Sequence, residues 1–479
     1  MSRRSPGLAL AVLTLPVLLI SIDMTVLGAA LPALTEDLDP GAAEQLWIVD
    51  AYSFVLAGLL VTMGTLGDRI GRRRLLMWGA AAFGVASVAA AFAPTAGTLV
   101  VARALLGLGG ATLMPSTFSL IKTAFPEPRR RATAVAVWSA AFSGGAAAGP
   151  VVGGFLLEHF WWGSVFLINV PVIVLLLALG PRVLPESRDP HPGPFDLPSA
   201  ALSLAAMLPL VAAVKTLATE GPTVGAGVAA VVGIGAGVVF VRRQRRLEHP
   251  LIDLALFARR PFSVSVVTNL LGVFALVGLL VLIPQYLQLV LGLGPLTAAL
   301  WMLPGSVAGV TGALVAARLV RRFAAPGLVG VGLGLAGAGL ALVGLLGGLG
   351  AVVAGFVLLG GGVALAEALT NDLILAAAPA DRAGAASAIS ETGYELGGAL
   401  GTAVLGSVAA AVFTARTGQE TLGGALTHPG VDGGVAREAF TSGLQMASVI
   451  GAVVLAATAL GAWRLLGRAV EAEREPAGV

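Results

Sequence analysis

The sequence contains no cysteine, which excludes disulfide bonds, thiol chemistry and cysteine-based metal sites. Its histidines fall in predicted loops or at predicted helix ends, so a histidine proton relay inside a membrane is not expected. They are His159, His191, His249 and His428. We therefore expect no bound metal and no cofactor. Charged residues make up 11% of the chain, whereas a soluble domain carries about 25%.

Lysine is almost absent as well. Lys122 and Lys215 are the two lysines of the chain, and they follow Ile121 and Val214. A Walker A loop requires a glycine directly before its lysine, so the sequence carries no such ATP site. Any uphill transport would have to use an ion gradient or a partner. The sequence also lacks a nucleophile–base pair, so an enzyme is not expected.

Long apolar runs fill the chain, and hydrophobic residues make up 57% of it. A helix that crosses a bilayer needs about 20 mostly apolar residues. Windows of that kind predict fourteen membrane helices, numbered helix 1 to helix 14 in chain order, at 8–31, 45–67, 75–93, 97–121, 132–157, 162–181, 198–218, 224–241, 263–290, 295–319, 326–346, 350–373, 385–412 and 441–465. The first run resembles a signal peptide, but its apolar character continues past Asp23 to Ala33, which is longer than a signal core. The sequence therefore predicts an all-α integral membrane protein.

The arginine clusters predict the orientation in the membrane. With fourteen spans and a cytoplasmic N-terminus, all of them face the cytoplasm, and of the basic residues only Arg416 and Arg437 fall in outer loops. This is the positive-inside pattern of a multi-pass protein of the cytoplasmic membrane with both termini inside. Basic charge is thus explained without a nucleic-acid partner. The clusters are RIGRRR (69–74), PRRR (128–131), RRQRR (242–246), ARR (258–260) and RR (321–322).

Four ionisable residues are predicted deep within the spans: Asp23 in helix 1, Arg103 in helix 4, and Glu391 and Glu395 in helix 13. A charge at the centre of a membrane helix costs on the order of 2.5–3.5 kcal/mol, so such residues are interpreted as functional. The two glutamates share a helix face at i, i+4 spacing and are candidates for binding and releasing protons. The alternative is that both stay protonated and form packing hydrogen bonds.

Other charged residues are less deep. Asp50, near the outer end of helix 2, and Glu367, toward the inner end of helix 12, are compatible with a functional or an interfacial role. Lys215 and Asp372 are expected to extend toward the interface. Aromatic rings that can bind a cation form a further set, for which packing is an equal alternative. They are Trp47, Tyr52, Trp138, Phe142, Tyr286, Trp301 and Tyr394.

Several segments together resemble motifs of the major facilitator superfamily, and more narrowly of its fourteen-helix drug:proton antiporter branch. The loop motif between helices 2 and 3 is the most specific of them, whereas the glycines of helices 4 and 5 also fit close packing alone. The segments are DMTVLGAALP (23–32), GTLGDRIGRRR (64–74), RALLGLGGA (103–111) and GAAAGPVVGG (145–154).

A second group of segments resembles exporters of quaternary ammonium compounds, dyes and other lipophilic cations. It comprises HFWWGSVFLINVP (159–171), PESRDPHPGPFD (185–196), PQYLQLVLGLGPLTA (284–298) and SETGYELGGALGTA (390–403). The second half departs from the pattern, because its loop motif is reduced to GALVAARLVRR (312–322), with no acid where Asp68 lies in the first half.

The resemblance implies the major facilitator fold, in which two six-helix bundles are joined by two inserted helices. The bundles would cover residues 1–182 and 261–479, the latter with a short cytoplasmic tail, and residues 183–260 would hold the insertion. It also implies a conformational latch on the cytoplasmic side and a loosened helix 5. The latch residues are Gly64, Asp68, Arg69, Gly71 and Arg72, and those of helix 5 are Gly149 and Pro150.

The implied function is proton-coupled export of small cationic or lipophilic molecules by a monomer in contact with lipid. A carboxylate at Asp23 can take a proton or pair with a cation, but not both, and Arg103 is expected to hold it ionised in one state. Glu391 and Glu395 would form a second such site. The expected substrate-binding residues are Asp23, Asp50, Tyr52, Trp138, Phe142, Tyr286, Glu391, Tyr394 and Glu395.

Other functions compete with this interpretation. A dedicated exporter of one endogenous metabolite or antibiotic would use the same machinery, and the sequence does not separate the two. A nutrient:proton symporter is disfavoured by the helix 5 motif and by the few polar residues in the spans. A membrane enzyme, a sensor, a lipid flippase and a scaffold are the remaining alternatives.

Overall fold

The computed structural model describes residues 6–188, 196–219, 221–248, 250–378, 383–427 and 432–474. Within these ranges the chain is helical, with no strand. A 3₁₀ turn covers Leu256–Ala258, and wider π-helical turns cover Tyr286–Val290 and Thr402–Gly406. The α-helices are α1 (Pro6–Leu38), α2 (Ala42–Ile70), α3 (Arg72–Ala91), α4 (Ala96–Ala124), α5 (Pro128–His159), α6 (Ser164–Leu167), α7 (Asn169–Val183), α8 (Leu197–Thr219), α9 (Val224–Gln244), α10 (Arg260–Gln285), α11 (Pro295–Leu319), α12 (Ala325–Leu346), α13 (Gly348–Ala377), α14 (Ala383–Gly401), α15 (Ser407–Thr417), α16 (Leu422–Thr427) and α17 (Gly433–Arg474).

Fourteen helical segments of the described chain are long and apolar enough to cross a membrane, which confirms the predicted number. Most of them are single helices. The sixth joins α6 and α7 over Ser164–Val183, and the thirteenth runs through α14, α15 and α16 over Ile389–Leu426. The protein is therefore a multi-pass, all-α membrane protein.

The chain separates into two compact units. The first comprises Met1–Leu210, Ala229–Phe240 and Gly294–Ala299, and the second comprises Val211–Val228, Val241–Leu293 and Leu300–Val479. The division predicted from the sequence, at 182 and 260, stays a prediction.

In the first unit, α1 packs against α5, α4 and α7, while α4 also packs against α2 and α3. Small residues allow the closest of these approaches. Gly145 and Gly149 of α5 lie directly against the Ser21 and Thr25 side chains of α1, where a Cβ atom would have no room. The helix 5 glycines are thus contact residues of α1, which is the packing interpretation of that motif.

In the second unit, α12 packs against α13 and α17, and α10 packs against α13 and α14. Glycines again bring backbones together, as at Gly401 of α14, which lies against the Phe274 carbonyl of α10. Just before α10 in the chain, Leu256 forms a small separate apolar cluster with Phe262, Ile374 and Ile389. This cluster fixes the start of α10 to α13 and α14.

Candidate functional site

The most deeply buried charges of the first unit form an ion pair between α1 and α4. Nη1 of Arg103 lies 2.6 Å from Oδ2 of Asp23, and the side chains are 2% and 0% exposed. Removing two such charges from water is costly, so a buried pair persists only when its geometry is good and its remaining donors are satisfied. The structure therefore brings together the two residues that the sequence singled out in helices 1 and 4.

The guanidinium of Arg103 is satisfied by α2. Its Nε donates to the carbonyl of Ile48 at 3.0 Å, and its Nη2 lies 3.5 Å from the carbonyl of Val49. The Tyr52 ring lies against the cation, with its centroid 4.8 Å from Cζ. A lysine could not reproduce this planar set of contacts. Tyr52 is fully buried, and its predicted role in binding substrate stays a prediction.

The second carboxylate oxygen of Asp23 faces α7. Nδ2 of Asn169 lies 3.5 Å from Oδ1 of Asp23 and donates to Oγ of Ser87 on α3 at 3.2 Å. Both Asn169 and Ser87 are fully buried. The sequence analysis missed these two residues, although a signal was present: the chain has only three asparagines, and this one lies in an apolar span.

A second polar cluster joins α13 and α14 in the second unit. Glu367 of α13 interacts electrostatically with Glu391 of α14, and Tyr394 lies within range of both and of Glu395. Glu395 is 2% exposed, whereas Glu391 and Tyr394 are half-buried. The structure thus brings together the three predicted residues of helix 13 and adds Glu367, which the sequence left open.

The other two asparagines of the chain lie beside this acidic cluster. Nδ2 of Asn269 on α10 donates to Oδ1 of Asn371 on α13 at 3.0 Å, and Oγ of Ser390 donates to the same oxygen at 2.7 Å. Asn371 follows Glu367 by one helical turn, and Ser390 directly precedes Glu391. The network therefore ties three helices together at the level of the carboxylates. It was not predicted.

The remaining candidate aromatics lie in separate contacts. Trp138 is half-buried and its indole donates to Oγ1 of Thr117 at 3.3 Å, while Phe142 packs on the core of the first unit. The buried Tyr286 accepts from the backbone N–H of Gly348, at the start of α13, at 3.2 Å.

The two charged residues that were expected to extend toward the membrane interface differ in their exposure. Asp372 is exposed, as predicted, but Lys215 is only 1% exposed, so the prediction that it extends toward the interface is wrong. The surrounding protein covers its whole side chain. Asp50 is buried to the same degree. His159 ends α5, and the other histidines lie outside the described residues.

The predicted latch motif forms the junction of α2 and α3. Arg72 and Asp68 are paired one turn apart, with 2.7 Å between Nε and Oδ1. Gly71 has φ +109°, a backbone conformation that favours glycine. The carboxylate of Glu186 lies directly above it and accepts from the backbone N–H of Arg73 at 2.9 Å. Glu186 therefore caps the first turn of α3. The rest of its segment, 189–195, lies outside the described residues.

We expect Gly71→Ala to destabilise the protein by about 1–3 kcal/mol, because alanine is strained at positive φ. Its Cβ would also lie 2.7 Å from Oε1 of Glu186 and displace the cap. The matched control is Gly64→Ala in the same motif, since its Cβ would meet only Pro115, at 4.0 Å. Thermal unfolding in detergent compares the two variants. Equal midpoints for Gly71→Ala and Gly64→Ala would contradict the role given to Gly71.

Among the described residues, no group of three histidine, aspartate or glutamate side chains is arranged to hold a metal ion. The four acids of the two candidate sites instead lie in membrane-spanning helices: Asp23 is paired with Arg103, and the other three, Glu367, Glu391 and Glu395, interact electrostatically with Tyr394. Fourteen apolar spans with buried carboxylates of this kind define a polytopic membrane protein of the transporter class.

Comparison with known proteins gives the family. The sequence profile of the Major Facilitator Superfamily matches residues 13–402, and the chain belongs to that superfamily. It is 49% identical to the multidrug efflux pump LfrA of Mycolicibacterium smegmatis in an alignment of 477 positions that covers 94% of this chain and 94% of that one. It is 40% identical to the methyl viologen resistance protein SmvA of Salmonella typhimurium, over 85% of this chain and 83% of that one.

A solved structure shows the same fold at low sequence identity. It is the inward-facing, occupied crystal structure of a bacterial homologue of the human lysosomal transporter Spinster. The TM-score is 0.71 at 17% identity, and the match covers 100% of both chains. Together with the family match over residues 13–402, this structural similarity confirms the fold class predicted from the sequence, the major facilitator fold.

Proposed function

We propose that this protein is a proton-coupled antiporter that exports lipophilic and cationic drugs, dyes and quaternary ammonium compounds by alternating access. The observation that carries the proposal is the buried Asp23–Arg103 pair, in a chain similar along 94% of its length to a multidrug efflux pump. The similarity to a methyl viologen resistance protein supports cationic substrates, because methyl viologen is a quaternary cation. No covalent chemistry is required.

Asp23 is the proposed coupling residue. In this structure the charge of Asp23 is balanced by its ion pair with Arg103. A proton on Asp23 would leave the guanidinium uncompensated in a buried site, which is unfavourable. Protonation would therefore favour a conformation in which the pair is separated, and this difference in free energy is the coupling between proton binding and conformational change.

Glu391 and Glu395, with Glu367, are the proposed second acidic site. The three carboxylates, which interact electrostatically with Tyr394, would attract an organic cation, and the Tyr394 ring would provide an aromatic face for it. A proton and a cation would compete for these oxygens, as at Asp23. Two separate acidic sites allow more than one proton per cycle.

The number of protons decides how the membrane potential contributes. One charge that moves through 100 mV is worth about 2.3 kcal/mol, so one proton at about 150 mV supplies roughly 3.5 kcal/mol. Exchange of one proton for one monovalent cation moves no net charge and gains nothing from the voltage. We therefore propose that export of cations uses more than one proton.

The remaining parts of the proposal concern placement and gating. The arginine pattern supports insertion in the cytoplasmic membrane with both termini inside, and we propose a monomer surrounded by lipid. Gly64, Asp68, Arg69, Gly71 and Arg72 would stabilise one conformation on the cytoplasmic side. Gly149 and Pro150, buried against the turn of α1 that carries Asp23, would let α5 adjust when that turn moves.

Everted membrane vesicles test the proposed function. We expect vesicles that contain the protein to accumulate ethidium when a pH gradient is imposed, and to lose it when nigericin dissipates that gradient. Vesicles without the protein are the control for passive uptake, and vesicles with Asp23→Asn are the control for coupling. A folded wild-type protein that moves no lipophilic cation in response to the gradient would refute the proposal.

A further inference from the structure

Asn169 is placed to respond to the protonation state of Asp23. It is the first residue of α7, it is fully buried, and its Nδ2 faces Oδ1 of Asp23 and Oγ of Ser87. Its own Oδ1 is buried and has no hydrogen-bond partner among the described residues. A buried amide oxygen without a donor is unfavourable. In this structure the amide NH₂ group of Asn169 is therefore hydrogen-bonded, while its amide oxygen lacks a donor among the described residues.

The two oxygens of Asp23 are not equivalent. Arg103 holds Oδ2 at 2.6 Å, whereas the contact that Oδ1 makes within the described part of the chain is the long one, 3.5 Å, with Asn169. A proton that arrives at the carboxylate would therefore be expected on Oδ1. The resulting O–H is a donor, and it would face the Nδ2 group of Asn169, which is also a donor. The neutral acid needs an acceptor at that place.

We propose that Asn169 is a positioning residue that supplies this acceptor by rotating its amide through half a turn. With Asp23 ionised, Nδ2 faces Oδ1 of the carboxylate and Oγ of Ser87. When Asp23 takes up a proton, and before it separates from Arg103, Oδ1 of Asn169 takes that place and accepts from the new O–H. The hydroxyl of Ser87 can donate as well as accept, so it is compatible with both orientations. The proton stays on Asp23 throughout, and no bond other than its O–H is formed.

The surroundings favour this assignment to Asn169. Arg103 of α4 is the charged residue paired with Asp23. On α2, the buried Asp50 follows Ile48, whose carbonyl accepts from Arg103, by two residues. Ser87 approaches the site from α3, whereas Gly145 and Gly149 of α5 lie against Ser21 and Thr25 of α1. The inference rests on the proposed function, since it concerns the proton that Asp23 is proposed to carry.

The test measures gradient-driven ethidium uptake in everted vesicles while the bulk pH is varied at a constant pH difference. Asn169→Leu removes both the acceptor for the neutral acid and the Nδ2 contact with the carboxylate. Because that contact is long, at 3.5 Å, loss of the acceptor should dominate, and the pH of half-maximal uptake should move toward acid by about one unit, the shift expected for one hydrogen bond. Asn169→Asp supplies a second carboxylate that can share the proton, so the midpoint should move toward alkaline pH. The control is Ser448→Ala, a buried hydroxyl of α17 that bonds within its own helix.

The outcomes separate this inference from the proposed function. Wild-type protein that shows no gradient-driven uptake overturns the proposed function and this inference together. If the wild type shows gradient-driven uptake but neither Asn169 variant changes the pH of half-maximal uptake, the inference alone is overturned. The same holds if both variants shift that pH in the same direction. If Asn169→Leu does not fold, the nearly isosteric Asn169→Asp and the variant Ser87→Ala carry the test. Ser87→Ala is expected to move the midpoint less than Asn169→Asp does.

Discussion

Asp23→Asn and Arg103→Met are each expected to destabilise the protein by roughly 3–5 kcal/mol, while the double variant recovers most of that loss without recovering transport. Either single change leaves one buried group without its counterion: a guanidinium in the first case, a carboxylate in the second. The double variant has no uncompensated charge. Transport is lost in all three variants, because none of them can exchange the pair for a proton.

This prediction separates a structural role of the pair from a role in coupling. Unfolding in detergent gives the free energies, and gradient-driven ethidium uptake gives the activity. The exposed pair Glu127–Arg130 provides the matched control, since its side chains are 55% and 71% exposed and its removal should cost less than about 1 kcal/mol. A double variant that regains proton-driven uptake would mean that the pair only supports the fold.

The second large effect is expected at the acidic cluster of the second unit. Glu391→Gln combined with Glu395→Gln should weaken export of a permanent cation by about 100-fold, at little cost in stability. Each charge-assisted contact contributes roughly 1.5–3 kcal/mol, and each 1.4 kcal/mol is a factor of ten in affinity. Glutamine keeps the size and polarity of the side chain, so the packing of α14 against α10 is retained.

The measurement is binding of tetraphenylphosphonium to the purified protein, followed by its export. Glu367→Gln alone should weaken binding by about tenfold, which corresponds to one such contact. The matched control is Asp372→Asn, an exposed acid one turn and a residue further along the same helix. Unchanged binding in the Glu391/Glu395 double variant would remove this cluster from the substrate site and support the alternative that its glutamates pack helices.

The sequence was sufficient to predict the membrane helices and the principal charges. Apolar runs of about 20 residues identify membrane helices unambiguously, and the positions of the arginine clusters gave an independent test of their number. Asp23 and Arg103 were identifiable because a charge in an apolar span is costly and therefore rare. That the two would meet, 80 positions apart, came only from the resemblance to a known family.

Other parts of the site were not predictable from local pattern. Asn169, Asn269 and Asn371 are neutral, so hydropathy treats them as minor interruptions, and their partners lie on other helices. Glu367 is near a helix end, where sequence alone allows either solvent or a buried partner. Lys215 shows the same limit: a side chain long enough to reach the interface is instead enclosed by protein.

The π-helical turn at Thr402–Gly406 has a consequence for how the thirteenth span is compared with its relatives. A wide turn of this kind accommodates one residue more than an α-helical turn. Because each residue of an α-helix advances by about 100°, everything after Gly406 is rotated by about that angle relative to an uninterrupted helix. Residues of α15 that share helical spacing with Glu391 and Glu395 of α14 therefore do not lie on the same face as those glutamates. α15 packs against α17. In a relative that lacks the extra residue, identical residues after this turn would face another direction.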